Sequence, residues 1–139
     1  MVLADTSAWS LAQRADAPAV KRTLDELIRA DAVGICDMVR FEIAYSTRNA
    51  DEMAAVLGDL RALRDCPLGK AEWSRALHVY RRLAEQGGAH HRSVGYQDLL
   101  IAAAAEAAGA TVLHYDEDFD RIAAITGQPT RWIAERGSI

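Results

Sequence analysis

Residues 111–120 read TVLHYDEDFD. Thr111, Val112 and Leu113 open as a buried strand, and Asp116, Glu117, Asp118 and Asp120 then arrive together where the next helix begins. The pattern recurs along the chain. VLAD (2–5) is an apolar strand ending in Asp5, AVGIC (32–36) is a second, and TRWI (130–133) supplies a last one. Strands that are unbroken apolar runs alternating with helices are buried on both faces, which is the signature of a parallel sheet with helices packed above and below.

The helices are read from apolar spacing. PAVKRTLDELIRA (18–30) places Val20, Leu24, Leu27 and Ile28 on one side with Pro18 at its start. After AVGIC, Asp37 caps a helix through MVRFEIAYS. DEMAAVLGDLRALR (51–64) is amphipathic through Met53, Val56, Leu57, Leu60 and Leu63. KAEWSRALHVYRRLAEQ (70–86) follows with Trp73, Leu77, Tyr80 and Leu83, and Gly87 and Gly88 stop it. YQDLLIAAAAEAAGA (96–110) is small and apolar nearly all round, which puts it in the middle of the fold, and a further helix spans about 118–126. The expectation is an α/β protein with a central parallel sheet of about four to five strands and helices on both faces. With no repeat or linker in its 139 residues, it is read as one domain, 1–139.

Composition narrows the function. Half the residues are hydrophobic, 26% are charged and the net charge is −4, so no global basic field draws the chain to nucleic acid or membrane. Lys21 and Lys70 are the only lysines; the other cations are arginines. Cys36 and Cys66 show no metal or redox spacing and read as buried thiols in a reducing compartment. MVLADTS lacks the basic start of a secretory signal, and the longest apolar run, LLIAAAA (99–105), is too short to span a bilayer. A cytoplasmic protein without membrane contact is expected.

In open α/β sheets, ligands bind at the carboxyl ends of the strands. Asp5 ends the first strand, Glu42 lies in the helix after the second, Asp98 is in the first turn of the apolar helix, and Asp116 follows the next strand. Taken singly, Asp5 and Asp98 suit turn or helix-start residues, Asp116 to Asp120 suit a solvated helix start, and Glu42 suits an ion pair with Arg40 or Arg48. Taken together, the four converge on one edge. Clustered carboxylates need protons or a cation, and hard oxygen ligands favour Mg²⁺ or Mn²⁺, whose usual work is phosphoryl transfer.

VLADTSAW, VRFEI, YQDLLIAAAA and TVLHYDEDF, in that order and across nearly the whole chain, resemble the PIN-domain nucleases, and more narrowly the VapC toxins of toxin–antitoxin pairs. The resemblance implies a PIN-like three-layer sandwich and a catalytic quartet of Asp5, Glu42, Asp98 and Asp116, with Asp5, Asp98, Asp116 and the additional Asp118 as metal ligands. It implies a Mg²⁺-dependent endoribonuclease, with Mn²⁺ substituting, that leaves 5′-phosphate and 3′-hydroxyl ends. It also implies a homodimer inhibited by a cognate antitoxin, in a heterotetramer or larger assembly. Ser7 matches the family's small hydroxyl after the first acid, whereas His114 and Tyr115 stand where many members carry Thr. Ser7, Arg40, Arg92 and His114 are the candidate substrate contacts. Apolar surface on 51–64 and 70–86, with the helix near 18–30, is where the dimer and antitoxin contacts are expected.

Other readings fit less well. Asp116, Asp118 and Asp120 have calcium-loop spacing, but Arg121 and Gly127 stand where that loop needs Gly and Glu. An acidic-site phosphatase built on Asp116 and Asp118 would want that pair near the amino end and a lysine downstream, and a receiver domain wants a lysine at a strand end, whereas Lys21 and Lys70 both lie on helix patterns. His90, His91 and Arg92 form a basic loop that suits either solvent or a general acid–base pair. A PIN-like module that keeps its acids only to bind a partner's arginine is the reading from a different class.

Overall fold

The alternation of strands and helices closes into a five-stranded sheet, all parallel, in the order β3-β2-β1-β4-β5. The structure is a computed structural model and describes residues 1–88 and 90–139; Ala89 and the His90 side chain, part of the histidine loop noted above, lie outside the described residues. The strands are β1 (Val2–Ala4), β2 (Val33–Ile35), β3 (Arg64–Asp65), β4 (Thr111–His114) and β5 (Thr130–Trp132). The helices are α1 (Thr6–Ala12), α2 (Pro18–Arg29), α3 (Asp37–Tyr45), α4 (Ala50–Leu60), α5 (Lys70–Glu85), α6 (Tyr96–Ala107) and α7 (Asp118–Thr126), with a short 3-10 turn at His90–Ser93. β1 is central, with Val2 beside Val33 on one flank and beside Thr111 on the other.

Two apolar cores lie on the two faces of this sheet. Val2, Ala4, Val33 and Leu113 pack with Leu11, Val20 and Leu24 of α1 and α2. Leu3, Ile35 and Val112 pack with the opposite layer, where Val79 and Leu83 of α5, Leu100 and Ile101 of α6, and Phe119 and Ile122 of α7 meet. The run Leu99 to Ala105 is wholly buried. Its four consecutive alanines give α6 a thin profile, so it fits between the sheet and α5, and Asp98 is fixed in its first turn. Burial of both sheet faces supplies the main driving force.

Two local readings change, and a further helix joins them. The segment 6–12 is helical: Asp5 caps α1, and Ala8, Leu11 and Ala12 form its buried side. The stretch 51–64 is a helix only to Leu60, after which Arg64–Asp65 joins the sheet edge beside β2. Two exposed polar residues carry no strand pattern, so β3 is set by pairing with Gly34 and Ile35 rather than by its own sequence. Asp37 is the first residue within α3, not its cap, and its carboxylate pairs with Arg40 at 2.7 Å. No helix among the described residues is long and apolar enough to cross a membrane.

Gly34 permits the close approach at the β2–β3 edge. A Cβ there would lie 2.7 Å from Cys66 Sγ, inside contact distance, and Cys66 is fully buried. Gly34→Ala is therefore expected to lower stability by about 1–2 kcal/mol, read as the thermal midpoint, because the short cysteine side chain has little room to yield.

Candidate metal centre

Asp5 leaves the end of the central strand and caps α1. One carboxylate oxygen, Oδ2, accepts hydrogen bonds from the Ser7 amide at 3.0 Å and the Ser7 hydroxyl at 2.6 Å. The same hydroxyl oxygen accepts from the Tyr115 amide at 2.9 Å. Ser7 thus ties the acid after β1 to the loop after β4, which fixes two adjacent strand ends relative to one another.

That loop is determined residue by residue. His114 Nδ1 accepts from the Asp116 amide at 3.1 Å, and Asp116 Oδ1 accepts from the Asp118 amide at 2.9 Å. Arg121 donates to Asp118 Oδ1 at 2.8 Å and to Glu117 Oε1 at 3.0 Å. Asp118 begins α7, where the unpaired amides of the first turn favour negative charge. Asp98, Asp116 and Asp118 each offer an oxygen, all three within 4.8 Å of one another. Glu42 comes from α3, and its Oε1 accepts from the Thr6 hydroxyl at 3.0 Å.

Electrostatics bind these residues into one cluster. The carboxyl of Asp98 is pushed up to about 8, first by burial and then by the charges of Asp5, Asp116, Asp118 and Glu42. Burial also raises Asp5, which is 3% exposed, against the lowering effect of its bonds to Ser7. Glu42 and Asp118 are raised as well, burial again coming first. With the Asp98, Asp116 and Asp118 oxygens so close, the metal-free cluster favours keeping a proton on Asp98 near neutral pH. An all-carboxylate donor set within 4.8 Å fits a hard divalent cation, Mg²⁺ or Mn²⁺, with water completing its shell.

The expected acids Asp5, Glu42, Asp98, Asp116 and Asp118 are brought together; the four expected substrate contacts fare differently. Ser7 faces Asp5 and acts as a strut. His114 does not face the pocket: its ring is fully buried between Phe119 and Trp132, at 5.1 and 4.9 Å, and burial lowers its pKa. Its role is to hold the Asp116 amide. Arg40 is taken up by Asp37 and Asp65, at 2.7 and 3.0 Å, on a different side of α3 from Glu42. Arg92 lies exposed in the 3-10 turn. Two supporting residues had not been singled out. Thr6 was hidden in a short helix that went unread, whereas Arg121 was legible as the i+3 partner of Asp118.

A family model described as PIN domain matches residues 2–125. The chain is 50% identical over 135 residues to Ribonuclease VapC18 of Mycobacterium tuberculosis, covering 97% of this chain and 96% of that protein. Among solved structures, the DNA-bound VapBC from Salmonella typhimurium aligns with a TM-score of 0.75 at 18% identity, over 96% of this chain and all of that one. A toxin–antitoxin complex from Klebsiella pneumoniae aligns at 0.69 and 15% identity, over 97% and 99%. At these identities the two structures speak for the fold.

The raised Asp98 carboxyl sets a pH dependence. Between its ordinary value of 3.8 and about 8, the folded chain holds a proton that the unfolded chain has lost. Stability of the metal-free protein should therefore fall as pH rises through that window and level off above it. Asp98→Asn weakens the dependence, leaving the part set by Asp5, Glu42 and Asp118, and is expected to stabilise the metal-free protein by roughly 1 kcal/mol near neutral pH. Thermal melts in chelator across the window check both; stability rising with pH would mean that the carboxylates are favourably paired instead.

Proposed function

This chain belongs to the PIN-domain family, and we propose that it is a metal-dependent endoribonuclease, the toxin of a toxin–antitoxin pair. The observation that carries the reading is the cluster itself: five carboxylates from four separate segments meet at the carboxyl end of the sheet, and burial together with the charges of the others drives Asp98 to about 8. A fold seldom keeps such repulsion unless a cation relieves it. The 50% identity to a protein named as a ribonuclease, over nearly its whole length, supports RNA as the substrate.

Asp98, Asp116 and Asp118 are the residues that would hold Mg²⁺ or Mn²⁺, with Asp5 beside them. Such an ion supplies Lewis acidity to a phosphodiester and lowers the pKa of a neighbouring water. The protein's part is positioning. Ser7 and His114 keep Asp5 and Asp116 at fixed separation, so the donor set does not splay apart when ionised. Glu42, held through Oε1 by Thr6 and raised by burial, is suited to take a proton from the attacking water and return it. Attack by water at phosphorus, with cleavage of the bond to O3′, leaves a 5′-phosphate and a 3′-hydroxyl. Neutralising the cluster also removes the barrier that five carboxylates present to an approaching phosphate.

On this reading the partners are RNA, a second copy in a homodimer, and a cognate antitoxin in a heterotetramer or larger assembly. The VapBC and toxin–antitoxin complexes that share the fold support the antitoxin.

Purified protein should cleave a stem-loop RNA with Mg²⁺ or Mn²⁺ and stop in EDTA, and its products should accept ligation at a 5′-phosphate. Asp98→Asn and Asp116→Asn should each lower the rate by more than roughly a hundredfold, beyond the usual cost of disturbing a metal's outer shell, and Asp118→Asn by less. Cleavage that persists in EDTA, leaves a cyclic phosphate and depends on His90 or His91 would overturn the reading.

A second expectation concerns Ser7. Ser7→Ala keeps every carboxylate but cuts the link between Asp5 and Tyr115. It should weaken Mn²⁺ binding by roughly 10–100-fold, measured by calorimetry, while leaving donor identity unchanged. Unaltered affinity would show that the strut does not position the cluster.

A further inference from the structure

Beside the acids lies a cavity of about 700 Å³ whose wall includes Glu42 and Thr6 from the candidate centre. That volume is in the range of small-molecule sites. The rest of the wall is largely aromatic: Phe41 and Tyr45 from α3, Trp73 from α5 and Tyr96 at the start of α6. These four are exposed by 68%, 84%, 53% and 64%, unusual for rings of this size in a chain with only nine aromatic residues. Phe41 and Tyr45 already lie nearly parallel, with centroids 6.3 Å apart and planes inclined by 22°.

Among the described residues, no Lys or Arg lines this cavity. The nearest arginine on α3, Arg40, is paired with two aspartates, and Arg121 is paired with Asp118 and Glu117. With a net charge of −4 and an acidic centre, a phosphate backbone finds little direct purchase here. An unpaired base does, because every base has a π-face and stacking on an aromatic side chain is independent of charge.

We propose that Phe41, Tyr45, Trp73 and Tyr96 form a stacking subsite for unpaired RNA bases next to the scissile bond. The proposal rests on the nuclease reading and deepens it. The enzyme selects single-stranded loops because only unstacked bases reach these rings, and a paired helix offers none. Gln97, in the same wall, supplies an amide able to read a base edge. Continuity with Glu42 and Thr6 argues for substrate as the occupant: whatever fills this cavity also touches the catalytic wall.

The test uses the full-length protein, Mn²⁺ and a stem-loop RNA, with the same RNA carrying abasic residues beside the cleaved bond. Tyr45→Ala and Trp73→Ala should each raise KM about tenfold, in the range of one lost base stack, with kcat preserved and Trp73→Phe near wild type. Abasic substitution should raise KM for wild type but add little in the alanine variants, since both remove one contact. KM should depend only weakly on salt. Should the alanine variants leave KM unchanged while converting a dimer to a monomer in sedimentation, or while losing a cognate protein partner, the aromatic face is a protein interface and the proposal is wrong. Failure of the wild type to cleave any RNA with Mn²⁺ would instead remove the nuclease reading beneath it.

Discussion

Negative charges packed at one end of a parallel sheet repel each other, and much of the surrounding structure answers that repulsion. Two unit charges about 4 Å apart cost on the order of 4 kcal/mol at an effective dielectric near 20. Three carboxylates within 4.8 Å, with two more at their edge, are tolerable only because protons or a cation intervene and because the backbone cannot relax them apart. Ser7 spans Asp5 and the loop after β4, His114 holds the Asp116 amide, and Asp116 caps the turn into α7. Apart from the Ser7 hydroxyl bond to Asp5, these bonds use backbone amides that would otherwise lack partners at a strand end or helix start.

The same constraint explains why His114 is fully buried while Asp98, Asp116 and Asp118 are only partly so. His114 is sealed between Phe119 and Trp132, so its neutral ring keeps Nδ1 available as an acceptor. A solvated histidine in that place would titrate and release the loop. α6 serves a related purpose: its wholly buried apolar run makes a rigid post that presents Asp98 to the other strand ends.

Much of this was legible in the sequence. Apolar strand runs ending in acids placed Asp5 and Asp116 at one edge, and the unbroken run from Leu99 to Ala105 identified a buried helix with Asp98 at its head. Glu42 stood out because a carboxylate between Phe41 and Ile43 needs a reason. What escaped depended on partners distant in the chain. β3 has no pattern of its own and forms only against β2. His114 looked accessible beside Asp116, but the register of β4 against β5 sets Trp132 opposite and closes it off. Arg40 was open to inspection, since residues two apart on a helix point about 200° from each other and cannot both face the centre with Glu42. The cavity beside Glu42 was out of reach, because Tyr45, Trp73 and Tyr96 come from three helices whose packing only the fold reveals.

The central claim is that the centre exchanges a proton held on Asp98 for a divalent ion. Mn²⁺ titrations near neutral pH, followed by calorimetry in two buffers of different ionisation enthalpy, measure the protons released on binding. With the Asp98 carboxyl at about 8, close to one proton should leave per ion bound, and the number should fall toward zero as pH is raised well above that value. Binding with no proton released near neutral pH, or no binding at all, would contradict the account.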